Sequence, residues 1–137
     1  MALILDTGPL LAALDAADQD HRACAALLTD SVEDLVVPAL VLGELDYWCA
    51  RRLPPAAWLI FLDDVLAGAY RVEAPTPADI ARCRDLQATY QDLGLGLVDS
   101  SVVALAERLG EPKVATLDRR HFGVVRPSHV SSLEIRP

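Results

Sequence analysis

The amino-acid sequence predicts an α/β fold with a mainly parallel central sheet of about five strands and helices on both faces. Short apolar, β-branched runs alternate with longer segments whose apolar residues recur every three or four positions. This alternation is typical of a parallel sheet buried between two helical layers. The 137 residues, 53% of them hydrophobic, are the usual size of one domain and suffice for one hydrophobic core.

Six short runs are candidate strands. The run at residues 2–5 is the most apolar and ends directly at Asp6. Apolar and β-branched composition predicts the others, with the last as an edge strand. These runs lie at 35–37, 70–73, 113–117, 124–125 and 133–135.

Helices are predicted between these runs. Pro38 suits the start of a helix over residues 39–52. Thr76 is a typical N-cap for the segment that follows, and Gly110 is a normal stop signal. The remaining predicted helices cover 10–14, 20–28, 55–67, 77–91 and 98–109.

Composition excludes several classes of protein. No apolar run reaches the roughly 18 residues that a membrane span requires, and the early acid at residue 6 interrupts any secretory signal. The three cysteines are widely spaced and form no C-x-x-C pair, so neither a disulfide framework nor a structural zinc site is expected. We therefore expect a cytoplasmic protein.

The formal net charge of −8 bears on the partners of the protein. Proteins that bind nucleic acid are usually basic, because phosphate contacts supply much of the affinity. An acidic protein can still act on RNA if bound cations bridge its carboxylates to the phosphates. The negative charge indicates more clearly that any lasting binding partner of the protein is basic than that the protein does not act on nucleic acid.

Most of the 20 acidic residues lie beside other polar residues on predicted helices or turns, where we expect solvated side chains. This group contains Asp15, Asp18, Asp20, Asp63, Asp64, Asp79, Asp85 and Glu107. Four others lie in apolar surroundings, where an unpaired carboxylate is costly. These four are Asp6, Glu44, Asp99 and Asp118.

The four acids differ in how readily a structural role explains them. Asp6 and Asp118 follow predicted strands, at the sheet edge where α/β proteins form their sites. Asp6 or Asp99 could instead cap the following helix, and Asp118 could pair with an adjacent arginine. Glu44 lacks such an explanation, because the arginines on its helix lie seven and eight residues away rather than three or four.

Convergence of these acids would require a cation. Two like charges about 5 Å apart cost roughly 3 kcal/mol at an effective dielectric constant near 20. An all-carboxylate ligand set suits Mg²⁺ or Mn²⁺ rather than zinc, and the three histidines (His21, His121 and His129) form no obvious ligand set. A water activated by the metal would then attack a phosphodiester.

Four segments in order resemble the PIN-domain family, and in particular the VapC toxins of type II toxin–antitoxin modules. The segments are Ile-Leu-Asp-Thr-Gly-Pro-Leu from Ile4, Glu44 within a helix, Gly-Leu-Val-Asp ending at Asp99, and Ala-Thr-Leu-Asp-Arg-Arg-His-Phe from Ala115. The resemblance covers essentially the whole chain. It implies that residues 1–137 form a single PIN-like ribonuclease domain.

The resemblance also implies a function. The protein would be a Mg²⁺- or Mn²⁺-dependent endoribonuclease that cuts tRNA, rRNA or mRNA and inhibits translation. It would form a homodimer, silenced by a VapB-type antitoxin whose basic or aromatic tail fills the acidic cleft. The implied metal ligands and catalytic residues are Asp6, Glu44, Asp99 and Asp118.

Neighbouring residues have less definite roles. Thr7 and Thr116 could orient the carboxylates, or could make local turn hydrogen bonds. Arg119 and Arg120, with His121, form a basic cluster that could hold the RNA backbone or pair with nearby acids. For four aromatic residues, core or dimer packing is favoured over base stacking. These are Tyr47, Trp48, Trp58 and Phe61.

Three other classes of protein differ in how well they agree with these features. A receiver domain needs an adjacent acid pair after its first strand and a lysine after its last, whereas Thr7 follows Asp6 and Lys113 precedes its strand. A Rossmann-type cofactor binder would carry G-x-G-x-x-G after the first strand, which is missing. A non-catalytic PIN-like scaffold that binds RNA or protein stays open.

Overall fold

The computed structural model describes residues 1–137 and contains one five-stranded, entirely parallel sheet of order β3-β2-β1-β4-β5. This confirms the predicted α/β class. The strands are β1 Ala2–Leu5, β2 Asp34–Pro38, β3 Arg71–Glu73, β4 Lys113–Ala115 and β5 Glu134–Arg136.

Seven α-helices connect the strands, with one 3₁₀ turn at Gln91–Leu93. The chain moves outward from β1 through β2 to β3, then returns across the sheet to β4 and β5. Because crossovers between parallel strands are right-handed, this reversal places helices on both faces. The helices are α1 Thr7–Leu14, α2 His21–Asp30, α3 Ala39–Arg52, α4 Pro55–Leu66, α5 Pro77–Thr89, α6 Leu97–Leu109 and α7 Arg119–Phe122.

The three inner strands form the centre of the core. Ile4, Val36 and Val114 are fully buried, which matches the continuous apolar runs of a sheet covered on both sides. β1 and β4 pair through Leu5 and Ala115, the last residues of both strands. The two chains therefore leave the sheet side by side at its carboxyl edge.

One predicted strand is wrong. Residues 124–125 form no strand, and the edge position beside β4 belongs to β5, within one residue of the predicted run at 133–135. Val125 is fully buried just after α7, and its amide donates to the carbonyl of His121. Its apolar character therefore reflects packing in a turn.

Two acids predicted to be solvated are paired instead. Asp79 is 6% exposed, completes a capping box with Thr76, and accepts a 3.0 Å hydrogen bond from Arg108. Glu107 accepts a 2.6 Å hydrogen bond from Arg82. Both ion pairs link α5 to α6, a long-range pairing that the local sequence pattern does not show.

The three cysteines are free and buried. Burial raises the pKa of the Cys24 thiol to about 11, which disfavours the reactive thiolate. No helix is both long and apolar enough to cross a membrane.

Candidate active site

The ends of β1 and β4 create the floor of a site. Asp6 follows β1 and Thr116 follows β4, so the strand pairing makes them neighbours. The Asp6 amide donates to the Ala115 carbonyl at 2.9 Å, and the Thr116 hydroxyl donates to Asp6 Oδ2 at 2.8 Å. The Asp6 carboxylate is therefore held in a buried position, with 6% of the residue exposed.

All four predicted acids line one cleft of about 450 Å³ at this edge. Each comes from a different element: Asp6 from the end of β1, Glu44 from α3, Asp99 from the first turn of α6, and Asp118 from the turn before α7. The long-range topology therefore assembles residues that are 112 positions apart at the extremes, from Asp6 to Asp118. The cleft is also lined by Thr7, Gly8, Leu11, Trp48 and Leu117.

The electrostatics of the cleft are those of crowded carboxylates. Burial raises the pKa of Asp6 to about 6, with added repulsion from Asp99 and Glu44, while the Thr116 hydrogen bond opposes the rise. Burial also raises the pKa of Asp99, with repulsion from Asp118 as the next cause. Both groups therefore hold protons more tightly than an ordinary carboxyl.

Helix capping accounts for Asp118, which caps α7 through the His121 amide, but it receives little support for Asp6 and Asp99. The Asp6 side chain makes no capping hydrogen bond although Asp6 occupies the N-cap of α1, and α6 has Gly96 rather than Asp99 at its N-cap. Glu44 is half-buried and makes no ion pair or side-chain hydrogen bond. Its charged neighbours in the cleft are carboxylates, so the cleft offers Glu44 no positively charged partner.

His121 contacts the acidic cluster, which is one of the two roles that the sequence left open for the basic residues after Asp118. Its Nδ1 contacts Asp118 Oδ2, lies 3.8 Å from Asp99 Oδ2, and its Nε2 lies 2.9 Å from the carbonyl of Leu93. Both ring nitrogens face acceptors, and this arrangement favours the protonated imidazolium form, in which both nitrogens donate. The Asp118 hydrogen bond accordingly raises the pKa of His121.

One histidine therefore lies among the acids, although the sequence showed no obvious ligand set that includes a histidine. Asp99, Asp118 and His121 each offer one potential ligand atom, and these three atoms lie within 4.8 Å of one another. Asp118 also accepts from the His121 amide at 3.0 Å, so its partner is the histidine three residues on and neither of the arginines between them. The Asp-x-x-His spacing at the start of a helix was the available signal.

The other predicted residues are placed as follows. Thr116 bridges two acids, since its oxygen also accepts from the Asp118 amide at 3.0 Å. The Thr7 hydroxyl is buried in the cleft wall and makes no hydrogen bond within the protein. Arg119 donates to the Pro137 carbonyl, and neither it nor the exposed Arg120 pairs with an acid.

The aromatic residues divide into two pairs. Phe61 is 1% exposed and stacks on Trp58 with ring centres 5.6 Å apart, which agrees with the predicted packing in the core. Tyr47 is 48% exposed and Trp48 is 38% exposed, so core packing is wrong for these two, and packing in a dimer stays a prediction. Trp48 lines the acidic cleft.

A parallel α/β sheet with a four-carboxylate cleft beyond its central strands is the arrangement that the sequence predicted for a PIN-like domain. Residues 3–126 match the PIN domain family, and the chain belongs to that family. Ribonuclease VapC26 from Mycobacterium tuberculosis is 38% identical over 125 residues, which cover 91% of this chain and 93% of that protein.

Solved structures share the fold at lower identity. VapC20 of Mycobacterium tuberculosis, a toxin described as cleaving the sarcin–ricin loop, superimposes with a TM-score of 0.82 at 20% identity, covering 98% of this chain and 99% of that one. VapBC2 of Rickettsia felis, bound to a DNA fragment from its promoter, superimposes with a TM-score of 0.71 at 17% identity over 100% of both chains. These structures bear on the fold alone.

Proposed function

We propose that this protein is a divalent-cation-dependent endoribonuclease and the toxin component of a VapBC-type toxin–antitoxin module. Residues 1–137 act as one ribonuclease domain that cuts RNA and thereby inhibits translation. The observation that carries the proposal is the convergence of Asp6, Glu44, Asp99 and Asp118 in one cleft. The 38% identity to a named ribonuclease over most of both chains supports the same activity.

The donor set fits a divalent cation. Four carboxylates supply hard oxygen ligands, and Glu44 has no positive partner within the protein. We propose that Asp6, Glu44, Asp99 and Asp118 hold Mg²⁺ or Mn²⁺, since both ions prefer oxygen donors. When bound, such an ion neutralises charge on the phosphate and lowers the pKa of water at the site.

The protein residues set the geometry of the site. The Thr116 hydroxyl fixes Asp6 and, through the Asp118 amide, ties the end of β1 to the turn before α7. The His121 side chain and amide contact both oxygens of Asp118, which favours a role for Asp118 through an intervening water. Thr7 lines the same cleft, and its buried hydroxyl has no hydrogen-bond partner within the protein.

Binding of substrate and inhibitor follows from charge. Arg119 and Arg120 lie on α7, directly after Asp118, and neither is neutralised by an acid, so we assign them to the RNA backbone. The acidic cleft and the net charge of −8 suit an antitoxin of the VapB type with a basic or aromatic tail. We also propose a homodimer, with the exposed apolar side chains of α4 (Leu59, Ile60 and Leu66) available for the contact.

Cleavage of RNA by the purified protein tests the proposal. Structured RNA should be cut with Mg²⁺ or Mn²⁺ and left intact in EDTA. Asp6→Asn and Asp99→Asn should each abolish cleavage while the circular dichroism spectrum stays unchanged. Asp63→Asn, at an exposed position of α4, is the matched control and should cleave like the wild type. Undiminished cleavage by both site variants would show that these acids are not catalytic, and binding without cleavage would favour a scaffold.

A further inference from the structure

The acidic cleft has apolar walls that chemistry at a phosphate does not use. Trp48 of α3 and Leu117 of the turn after β4 line the cleft with the carboxylates, and each is 38% exposed. An indole ring in contact with water gains free energy when a flat apolar partner covers it. The nucleobases of RNA are such partners.

A stripe of residues extends along α3 from the acids. Glu44, Trp48 and Arg52 are spaced by four residues, so they share one face of the helix at steps of about 6 Å. The Arg52 guanidinium lies 5.4 Å from the centre of the Trp48 ring and forms no ion pair. The face therefore presents a carboxylate, an aromatic ring and a free cation in sequence.

Tyr47 supports the Trp48 ring from the side. The two rings meet edge to face, with centres 5.1 Å apart and planes at 89°. The Arg51 guanidinium in turn lies 3.5 Å from the Tyr47 ring centre. A ring held in this way loses little conformational freedom when a base stacks on it.

We propose that Trp48 is a specificity-determining stacking platform for an unpaired nucleobase next to the scissile phosphate, with Arg52 contacting the RNA backbone beyond it. This rests on the proposed ribonuclease function. RNA is favoured over a protein partner as the occupant because Trp48 shares its cleft with all four acids, and a phosphate that reaches the acids brings its bases to the ring. A base must be unstacked to bind there, so the site selects single-stranded or looped RNA.

Steady-state cleavage separates this role from a structural one. Trp48→Ala should raise KM for a single-stranded RNA by about tenfold to a hundredfold, the range equivalent to about 1–3 kcal/mol per stacked base, with kcat nearly unchanged. Trp48→Phe should recover part of the loss because it keeps an aromatic face. Val32→Ala removes a fully exposed apolar side chain just before β2, at the opposite edge of the sheet, and should leave both constants unchanged.

Fluorescence supplies a second measurement that does not depend on cleavage. Trp48 and Trp58 are the only tryptophans, so Trp58→Phe leaves Trp48 as the sole indole emitter. Single-stranded 12-mer RNA added with Mg²⁺ should quench this emission, and the equivalent RNA duplex should quench it far less. This conservative variant decides the question even if Trp48→Ala fails to fold.

The outcomes are distinguishable from failure of the proposed function. Cleavage with a KM for Trp48→Ala within twofold of wild type, together with no quenching, overturns the Trp48 role and leaves the ribonuclease intact. Quenching without any cleavage by the wild type refutes the ribonuclease and supports RNA stacking. A change in oligomeric state of Trp48→Ala with unchanged KM shows that protein covers the ring, which also overturns the inference.

Discussion

Replacing Asp6 by asparagine should stabilise the metal-free protein while destroying its activity. Burial raises the Asp6 pKa from 3.8 to about 6, so the folded state favours the protonated form. At 1.36 kcal/mol per pKa unit, this rise corresponds to about 3 kcal/mol. The contribution to stability is fully present below pH 3.8 and is lost as the pH rises through about 6. Asparagine is neutral at every pH and keeps an oxygen for the Thr116 hydroxyl.

Urea unfolding in EDTA, at half-unit steps from pH 4 to pH 8, measures this effect. The free energy of unfolding of Asp6→Asn minus that of the wild type should grow by about 2–3 kcal/mol across the range, because the titrations of groups that do not interact with Asp6 cancel in the difference. Adding Mg²⁺ at pH 8 should stabilise the wild type and have little effect on the variant. Asp63→Asn, at an exposed site, should give a flat difference. A flat difference for Asp6→Asn would refute the claim that burial strains this carboxylate.

Two further predictions concern the hydrogen bonds and ion pairs around the core. Thr116→Val removes a donor that favours the ionised form of Asp6, so the acid limb of the pH–cleavage profile should move to higher pH. Arg108→Ala leaves the buried carboxylate of Asp79 without its cation and should cost about 2–3 kcal/mol of unfolding free energy in urea. Arg84→Ala, which breaks an exposed pair, should cost less than about 0.5 kcal/mol.

The sequence predicts the architecture well because the signals for buried parallel strands are local. The run at residues 2–5 is apolar without alternation, as a strand covered on both faces requires, and it is β1. The helix over residues 39–52 was predicted with its observed bounds, since Pro38 and the prolines at 54–55 punctuate both ends. The short run at 124–125 misleads because two residues carry no period, so a buried turn resembles a strand.

Pairing between distant elements is what the sequence does not reveal. Asp79 and Glu107 look like solvated acids because each lies in an end turn of its helix, where charged side chains are normally exposed. Each meets an arginine on the partner helix, 29 residues away for Asp79 and 25 for Glu107. Which face of α5 meets which face of α6 is decided by packing of the whole domain, so the burial of these acids follows from tertiary structure alone.

The four cleft acids were predictable because a general property of α/β sheets converts strand ends into one location. The different contacts that the four acids make were not predictable from the sequence. Asp6 is fixed by Thr116 across the β1–β4 pair, and Glu44 has no partner at all. Asp118 is held by His121, whose second nitrogen is fixed by Leu93, 28 residues earlier in the chain.

This arrangement places the His121 imidazole, whose pKa is raised by the Asp118 hydrogen bond, beside two of the four carboxylates. His121 lowers the repulsion around Asp99 and Asp118. Its two ring nitrogens both face hydrogen-bond acceptors, so neither is available to bind a metal ion. Asp6 and Glu44 lie on the side of the cleft that lacks such compensation. Asp6 and Glu44 therefore have the least compensation by cations of the protein, and we propose that these two, with Asp99, which repels Asp6, contact a divalent cation directly.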